Sequence, residues 1–439
     1  MMIKTSQALL TLLVLLLILV SKPAWPNSNG VSIHITETGT DKFEVVYTLD
    51  RPVRSLQFLA TPDTSRVDFW RAKSDEFELT HHKERDAIKR TDSQPFQTVV
   101  FVVDIVDISL PNYYRPFSPL LKREDGLIIH SGQYFVCANN CSDTATWQVN
   151  VTAKNKNIVH YQGSSISAAS WQDSGDGRSF YVGPLSIEES DSLVAIIDSG
   201  LPTKLKGILN TNLPKVVSRL ATKFEAPQTK SLVFATYNKG DPERFGFQGG
   251  VLNQTVFMHW WGLNLEQRVN ENDELWFLAH EISHFYQHKG GKVDVDEVAW
   301  IHEGFAELMA ANLLASNNER LKDYVQHRFN SAKTDCAAGL ELTPVGQATR
   351  LKKFDLHYKC GILLHRFITQ NAIQKITVFE LWNRYRAAIN KGMPPSKKTY
   401  LDIVKLILSE DDFLIIQTTV GSELAPNSVV KEMLENSIF

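Results

Sequence analysis

The chain has 439 residues, of which 43% are hydrophobic and 22% are charged, and its formal net charge at pH 7 is −3. This length exceeds one ordinary hydrophobic core and predicts two or three domains. The balanced charge, without a strongly basic block, predicts that the protein has no nucleic-acid partner. The sequence shows no low-complexity segment and no internal repeat, so its composition is that of an ordinary globular protein.

Residues 1–27 have the composition of a signal peptide or of an N-terminal membrane anchor. Lys4 is followed by a thirteen-residue apolar run from Ala8 to Val20, in which Thr11 is the one polar residue. This run is shorter than the roughly 20 residues that span a bilayer and is typical of a secretory signal. Ala24 is the best cleavage site, but Lys22 stands where a small residue is expected, so an uncleaved anchor is the alternative. In both cases we expect an exported protein that is periplasmic, secreted or membrane-anchored outside the cytoplasm.

Residues 28–195 are predicted to form an antiparallel β-domain, either a sandwich or a saddle-like sheet. Apolar and polar side chains alternate along residues 31–38 and 43–49, as expected for half-buried strands. Turn-forming sequences separate these runs from further strand-like segments at 54–59, 98–105, 127–136 and 146–152. Consecutive strands without intervening helices favour a separate β-domain.

Residues 196–439 are predicted to form a second, mainly helical domain of mixed α/β type. A helix is expected after Pro214, and strands are expected at 231–237 and 245–258. Residues 331–350 are polar and are expected to form a loop. A helix near Tyr358 follows, and further helices are expected at 378–389, 398–409 and 428–435. The predicted fold class is therefore α+β.

The segment HEISH, residues 280–284, has the spacing of a zinc-binding site on a helix. Residues four apart project from one face of a helix, so His280 and His284 can bind one Zn²⁺ ion together. Glu281 points about 100° away from His280 and can reach a water molecule at the metal without being a ligand. Glu303, on a second helix, is the candidate third ligand. An open fourth position would make this a catalytic rather than a structural zinc site.

The alternative is an amphipathic helix whose histidines lie on the surface or in the core, because HExxH also occurs by chance. Apolar residues recur at spacings of three and four around the motif, at positions 275, 278, 282 and 285. A glycine pair at 290–291 is suited to end this helix. A second helix is expected from near Val298, and it carries Glu303 and Glu307 on one face. These features favour the metal site.

Four cysteines in an exported chain permit three disulfide pairings. Cys137 and Cys141 are close enough in sequence to close a small loop, which would leave Cys336 and Cys360 for a second bridge. Four inert buried thiols are the alternative. A second metal site at the first pair would lack nearby histidine partners.

The HEISH segment and the segment W-I-H-E-G-F-A-E that follows it resemble the signature of the M1 family of zinc metallopeptidases, within the gluzincin group. In that signature, HExxH is followed after eighteen residues by a Glu. The resemblance implies that His280, His284 and Glu303 bind one zinc ion. It also implies that Glu281 is the general base. Glu307 matches a carboxylate that orients a ligand histidine in gluzincins.

Gly250 and Asn253 match positions of the family's G-A-M-E-N segment, which lies along the substrate-binding edge. Here the matching residues 250–254 read G-V-L-N-Q. In the family, the Glu of this segment binds the free α-amine of the substrate. Asn253 can accept a hydrogen bond from an amine but supplies no negative charge, so aminopeptidase specificity is not implied. An ordinary strand with a glycine bulge is the alternative interpretation.

The sequence Y-K-C-G that begins at Tyr358 resembles the Y-E-K-G start of a family helix. The tyrosine of that motif donates a hydrogen bond to the oxyanion of the tetrahedral intermediate, and the resemblance implies this role for Tyr358. Without the resemblance, Tyr358 would be a core or interface tyrosine. A bridge between Cys336 and Cys360 would tether the preceding loop beside it.

These features predict an N-terminal antiparallel β-domain followed by a thermolysin-like, mixed α/β and mainly helical catalytic domain. The predicted function is a zinc-dependent peptidase, similar to M1 aminopeptidases, that acts on a peptide or protein substrate. One alternative is an endopeptidase or narrow-substrate peptidase without aminopeptidase specificity. The other is a zinc-containing binding protein without catalytic activity.

Overall fold

In the computed structural model, the described residues are 28–39, 42–61, 64–83, 85–104, 120–123, 126–138, 142, 144–154, 157–161, 164–184, 188–189, 193–224, 230–239, 245–252, 255–287, 295–316 and 319–437. The chain divides after Pro184 into two compact units, and the short segment 123–126 groups with the second unit. The first unit is built from β-sheets and the second is mainly helical, so the predicted α+β class is confirmed. The predicted domain boundary at 195/196 falls inside a strand of the second unit, Leu193–Ile197. The predicted signal segment, residues 1–27, lies outside the described residues.

The described residues of the first unit form three sheets. Their strands are β1 (Ser28–Glu37), β2 (Lys42–Val53), β3 (Ser55–Phe58), β4 (Trp70–Ala72), β5 (Phe77–His82), β6 (Arg85–Arg90), β7 (Phe96–Asp104), β8 (Leu120–Arg123), β9 (Gly126–His130), β10 (Val136–Cys137), β11 (Thr146–Thr152), β12 (Ile158–Tyr161), β13 (Ser164–Ile166), β14 (Ala168–Ser174) and β15 (Ser179–Gly183), with a short helix α1 (Ser65–Phe69). The strand orders are β14-β11-β1-β2-β7-β4, β10-β3-β6-β5 and β13-β12-β15-β9-β8. Most described pairs are antiparallel, as predicted, whereas β1 and β11 run parallel.

Alternating side chains explain the core of the first unit. Along β1, Val31, Ile33 and Ile35 are buried, while the residues between them are partly or fully exposed. The same alternation buries Tyr47 on β2 and Trp147 on β11. Because successive side chains of a strand point to opposite faces, one face of each of these strands contributes to a common apolar core.

The second unit contains a five-stranded sheet of order β16-β17-β18-β20-β19. Its strands are β16 (Glu188–Glu189), β17 (Leu193–Ile197), β18 (Ser231–Asn238), β19 (Gly246–Leu252) and β20 (Thr255–Trp261). β17, β18 and β20 are parallel, and β19 pairs antiparallel with β20 at the edge of the sheet. The prediction of one strand over 245–258 is wrong, because Leu252 pairs directly with Thr255 and the segment folds back as a hairpin.

The helices of the second unit are α2 (Thr203–Ala221), α3 (Leu265–Arg268), α4 (Glu271–Gln287), α5 (Val295–Ala315), α6 (Glu319–Leu340), α7 (Asp355–Asn371), α8 (Val378–Asn390), α9 (Lys397–Lys405), α10 (Glu410–Thr419) and α11 (Asn427–Glu435). Helices α4 and α5 carry the residues of the predicted zinc motif. Their apolar side chains, such as Leu278 and Leu308, are buried in one core with those of the sheet. Among the described residues, none of the helices has both the length and the hydrophobicity of a transmembrane span.

Helix α2 begins earlier than predicted and contains Pro214 in its interior. A proline removes one backbone hydrogen bond from a helix and normally breaks or kinks it. Here a buried stripe continues on both sides of the proline, at Leu205, Leu209, Leu213 and Val217. Packing of this apolar face therefore outweighs the local cost of the proline.

The predicted polar loop at 331–350 is wrong over its first half, because residues up to Leu340 belong to α6. The helix buries Val325, Phe329, Ala332 and Cys336 at spacings of three and four. Its other faces are polar, which hid the helical pattern in the sequence. The predicted helix 398–409 ends earlier, at Lys405. The Ser409 side chain accepts a hydrogen bond from the backbone N–H of Asp412 and so caps the next helix, α10.

A disulfide joins α6 to α7. It links Cys336 with Cys360, the pairing that the sequence left as one of three possibilities. Cys137 is disulfide-bonded as well, and its predicted partner Cys141 lies outside the described residues. Because Cys360 lies in the second turn of α7, the bridge holds that part of the helix close to α6.

Candidate metal centre

Helices α4 and α5 bring three potential ligand atoms together. Nε2 of His284 lies 3.0 Å from Nε2 of His280 and 3.1 Å from Oε2 of Glu303. Nε2 of His280 lies 3.3 Å from the same carboxylate oxygen. Zinc bonds of about 2.0–2.1 Å to nitrogen and oxygen require ligand atoms about 3.3 Å apart in a tetrahedron. The triangle formed by the three atoms therefore fits one zinc ion.

The electrostatics of this cluster favour a positive charge. Burial by itself would lower the pKa of His280, but its contacts with Glu303 and Glu307 hold that pKa well above the ordinary value. Burial would likewise raise the pKa of Glu303, but His284 and His280 hold it well below the ordinary value. Two imidazole nitrogens and a carboxylate oxygen directed at one point are a donor set that Zn²⁺ prefers.

Glu307 contacts the other nitrogen of His280. Its Oε1 lies 3.0 Å from Nδ1 of His280 and accepts a hydrogen bond of 3.0 Å from the indole of Trp276. Its Oε2 lies 3.8 Å from the guanidinium of Arg328, which in turn lies 4.3 Å from the centroid of the Trp276 ring. A carboxylate at Nδ1 leaves the lone pair of Nε2 directed at the metal position. The structure thus brings Glu307 to the histidine that it can orient.

His284 is held by Gln287, a residue that the sequence pattern did not single out. Oε1 of Gln287 lies 2.9 Å from Nδ1 of His284, and Nε2 of Gln287 donates to the backbone carbonyl of His302 at 3.0 Å. Gln287 is buried in the last turn of α4. The spacing of three residues from His284 was the available indication, because residues three apart are neighbours on a helix.

Glu281 is buried beside the ligand cluster. Burial raises its pKa to about 7, against the opposing attraction of His280 and His284. The backbone of β19 passes directly against the carboxyl group, and a Cβ atom on Gly249 would collide with it. Any side chain at position 249 would therefore displace Glu281. Gly249 is thus a second residue of the site that the sequence pattern did not reveal.

Of two further predicted site residues, Gly250 lies on the same strand, β19. Gly250 is paired with Phe257 across the hairpin. Gly249 lies against Glu281, and because successive residues of a strand face opposite sides, Gly250 is placed on the other face of β19. Asn253 lies outside the described residues. Their predicted role in substrate binding stays a prediction.

Tyr358 lies in the first turn of α7, with its ring beside that of His280. The two ring centroids are 5.7 Å apart at an interplanar angle of 29°. A close crossing of α5 and α7 explains this position, because the two helices touch backbone to backbone at Gly304 and Gly361. Gly304 directly follows Glu303, and Gly361 lies about one turn after Tyr358, so the crossing brings Tyr358 to the cluster.

Comparison by sequence finds no matching protein-family model and no matching curated protein. By structure, the chain is similar to a two-domain M1 zinc metallopeptidase mutant bound to L-arginine, with 13% identity and a TM-score of 0.49, over 90% of this chain and 94% of that chain. An M1 zinc metallopeptidase from Deinococcus radiodurans has 14% identity and a TM-score of 0.48, over 90% and 94% of the two chains. Native yeast LTA4 hydrolase has 9% identity and a TM-score of 0.49, over 90% of this chain and 69% of that chain. These similarities concern the fold, and the chemistry of the site rests on its own side chains.

Proposed function

We propose that the protein is a zinc-dependent peptidase that hydrolyses peptide bonds. The observation that carries this proposal is the convergence of His280, His284 and Glu303 on one point, with the buried carboxyl group of Glu281 beside it. Among the described residues, no fourth His, Cys, Asp or Glu joins this cluster. A structural zinc site has four protein ligands, whereas three ligands and an open position are typical of a catalytic site.

The residues around the cluster have distinct parts in the proposed reaction. A zinc ion held there would polarise the substrate carbonyl and lower the pKa of water. Glu281, next to the ligands in space, accepts the proton of the attacking water and delivers it to the leaving amine. The carbonyl oxygen gains negative charge as the water adds. Tyr358, whose ring lies beside His280, donates a hydrogen bond to that oxyanion.

Removal and restoration of zinc test the proposal directly. We expect the purified protein to contain about one zinc ion per chain and to cleave members of a mixed peptide library. A chelator should stop cleavage, and added zinc should restore it. His280→Ala should lose the metal, whereas His327→Ala, at an exposed position of α6, should retain it. The proposal would be contradicted if the zinc-loaded protein cleaved no peptide, or if the zinc-free protein cleaved peptides.

A second candidate function is cleavage of internal peptide bonds instead of removal of N-terminal residues. The β19 strand lies against Glu281 at Gly249. The sequence around it, residues 245–258, contains no ionisable side chain. A free α-amine is positively charged and finds no counter-charge on this segment, whereas an internal peptide segment needs none. Phe247 of β19 is 44% exposed and packs on Phe277 of α4, so it offers apolar surface near Glu281.

Matched peptides distinguish the two specificities. Each peptide is supplied with a free and with an N-acetylated terminus, and the cleaved bonds are identified by mass spectrometry. An enzyme for internal bonds should cleave both forms at similar rates. An aminopeptidase should release residues from the free form and ignore the acetylated one, which would rule out the second candidate.

We also propose that the protein acts outside the cytoplasm. The apolar run at residues 8–20 supports export, and the substrate would then be an extracytoplasmic peptide or protein. Cell fractionation and N-terminal sequencing of the mature chain test this proposal. Recovery of the full-length chain in the cytoplasmic fraction would contradict it, whereas recovery in the membrane fraction would indicate an uncleaved anchor.

A further inference from the structure

We infer that Gln287 is a positioning residue of the metal centre, which sets the tautomer of His284 and links the helices that carry the ligands. This inference rests on the proposed zinc site. Gln287 is 4% exposed. Both polar atoms of its side-chain amide form hydrogen bonds. Oε1 lies 2.9 Å from Nδ1 of His284, and Nε2 lies 3.0 Å from the carbonyl oxygen of His302.

The backbone contact decides which way the amide points. A carbonyl oxygen only accepts hydrogen bonds, so the amide nitrogen of Gln287 must face the carbonyl of His302. The amide oxygen then faces Nδ1 of His284 and can only accept. Nδ1 of His284 must therefore carry the hydrogen. In the neutral ring this leaves the lone pair on Nε2, the atom that lies 3.1 Å from Glu303 Oε2.

The same contacts tie the two ligand-bearing helices together. Gln287 ends α4, three residues after His284, and its partner His302 directly precedes Glu303 on α5. One side chain thus bonds a ligand ring on one helix and the backbone next to a ligand on the other. Loss of this bridge would free the rotation of the His284 ring. It would also remove a direct hydrogen bond between the two helices beside the cluster.

The two histidines are consequently held by different chemistry. His280 has a carboxylate, Glu307, at its Nδ1, whereas His284 has a neutral amide. A carboxylate partner increases the donor strength of an imidazole more than an amide does. Gln287 therefore contributes mainly orientation, and its effect should appear in metal affinity and in the hydrogen bond that Nδ1 of the ring donates.

Three variants test the inference. Gln287→Leu keeps the approximate size of the side chain and removes both hydrogen bonds. Gln287→Glu keeps an acceptor for His284 and loses the donor to His302. Asn312→Leu is the matched control, because Asn312 lies on α5 and donates only a local hydrogen bond, of 2.7 Å, to the Leu308 carbonyl.

The first measurement is zinc affinity by competition with a chromophoric chelator, on variants whose circular dichroism matches the wild type. Loss of a group that orders a ligand histidine typically weakens metal binding about 10–100-fold, and we expect that loss for Gln287→Leu. Gln287→Glu should recover part of the affinity, and Asn312→Leu should bind zinc like the wild type. Wild-type affinity in Gln287→Leu would overturn the inference.

The second measurement is the hydrogen bond donated by Nδ1 of His284 in zinc-loaded protein, read from the Nδ1–H signal by NMR of nitrogen-15-labelled histidine. We expect a low-field Nδ1–H signal in the wild type and in Gln287→Glu, where an oxygen accepts from it, and an upfield shift in Gln287→Leu, where that acceptor is lost. An unchanged Nδ1–H signal in Gln287→Leu would show that Gln287 does not hold the ring, and would overturn the inference.

These outcomes separate the inference from the proposed function. Equal zinc affinity in the wild type and in Gln287→Leu contradicts the inference alone. A graded loss of zinc affinity in a protein that cleaves no peptide supports the inference and contradicts the peptidase function alone. A wild-type protein that binds no zinc would overturn both.

Discussion

Both units of the molecule bury charged groups, but they do so in different ways. In the first unit, Arg66 forms a buried ion pair with Asp86, and the two side chains are 5% and 0% exposed. The same guanidinium donates to the backbone carbonyls of Ala60 and Gln133, each at 3.0 Å, and lies over the ring of Phe58. The positive charge of Arg66 is thus balanced by Asp86, and its hydrogen bonds are accepted by groups of the protein itself.

In the second unit, the three clustered groups are potential metal ligands, of which His280 is buried and the other two are partly exposed. His280, His284 and Glu303 direct three ligand atoms at one point, and a cation is needed there to balance them. Buried charge by itself is therefore a poor indicator of function, since a matched pair can be purely structural. An excess of acceptors at one point is the more informative feature, and it is what separates the candidate metal centre from the pair in the first unit.

The largest expected effect is on catalysis. Glu281→Gln keeps the shape of the side chain but removes the proton acceptor, so we expect hydrolysis to fall by about 10²–10⁴-fold. Zinc content should be unchanged, because Glu281 is not one of the three clustered ligands. The free energy of unfolding should stay equal or rise, since a buried carboxyl group is lost. Peptide turnover, metal analysis and urea unfolding check this, and retained turnover would exclude Glu281 as the general base.

The matching change in the first unit should affect stability and not zinc binding. Asp86→Asn leaves the Arg66 guanidinium buried without its counter-charge, and we expect unfolding to become easier by about 3–5 kcal/mol. The control is Asp104→Asn, because Asp104 pairs with the exposed Arg71 near the surface and should cost less than about 1 kcal/mol. Urea unfolding measures both variants. A similar loss in the two would show that burial of the Arg66 pair is not decisive.

A smaller effect is expected at the helix crossing that positions Tyr358. Gly304→Ala places a Cβ atom against the backbone of Gly361, so α5 and α7 must separate at a cost of about 1–3 kcal/mol. Peptide turnover should fall as well, since Tyr358 moves with α7. Gly207→Ala is the control, because a Cβ atom on this residue of α2 meets no neighbour within 4 Å. Unfolding and turnover equal to the wild type in Gly304→Ala would contradict the role of the crossing.

The smallest expected effect is the contribution of His365, in the core of the second unit, to the loss of stability at acid pH. Burial lowers the pKa of His365 to about 3, against an ordinary value of 6.5. As the pH falls below 6.5, the unfolded chain takes up a proton that the folded chain does not, so stability decreases with falling pH. Between about pH 6.5 and 5.5 the free energy of unfolding should fall by about 1 kcal/mol through this group.

Replacing the residue tests this assignment. In His365→Gln the free energy of unfolding should depend less on pH over that interval, measured by urea unfolding at several pH values. His327→Gln, at an exposed position of α6, is the matched control. An unchanged pH dependence in His365→Gln would show that other groups are responsible for it.

The arrangement of the zinc motif could be predicted because it depends on local helix geometry. His280 and His284 are one turn apart on α4, so their convergence follows from the helix itself. Glu303 and Glu307 are likewise one turn apart on α5. Their contacts with His280 agree with the predicted arrangement, although their roles in zinc binding and catalysis stay predictions.

The residues that sequence reasoning missed depend on strand register and on packing over long distances. Gly249 and Gly250 are equivalent in the sequence, and the packing of β19 on α4 decides which of them lies against Glu281. The second half of α6 was hidden for a similar reason. Its apolar stripe is narrow, and its burial against the core, together with the disulfide at Cys336, stabilises it as a helix.

The sequence by itself determined the α+β class, the order of the β-rich and helical units, and the spacing that places His280, Glu281 and His284 on one helix. These properties follow from composition and from periodicity along the chain. Only the tertiary structure decided that Gln287 bridges His284 to the His302 carbonyl and that α5 and α7 cross at their glycines. The physical reason is that both depend on how the core packs helices side by side, which no local spacing encodes.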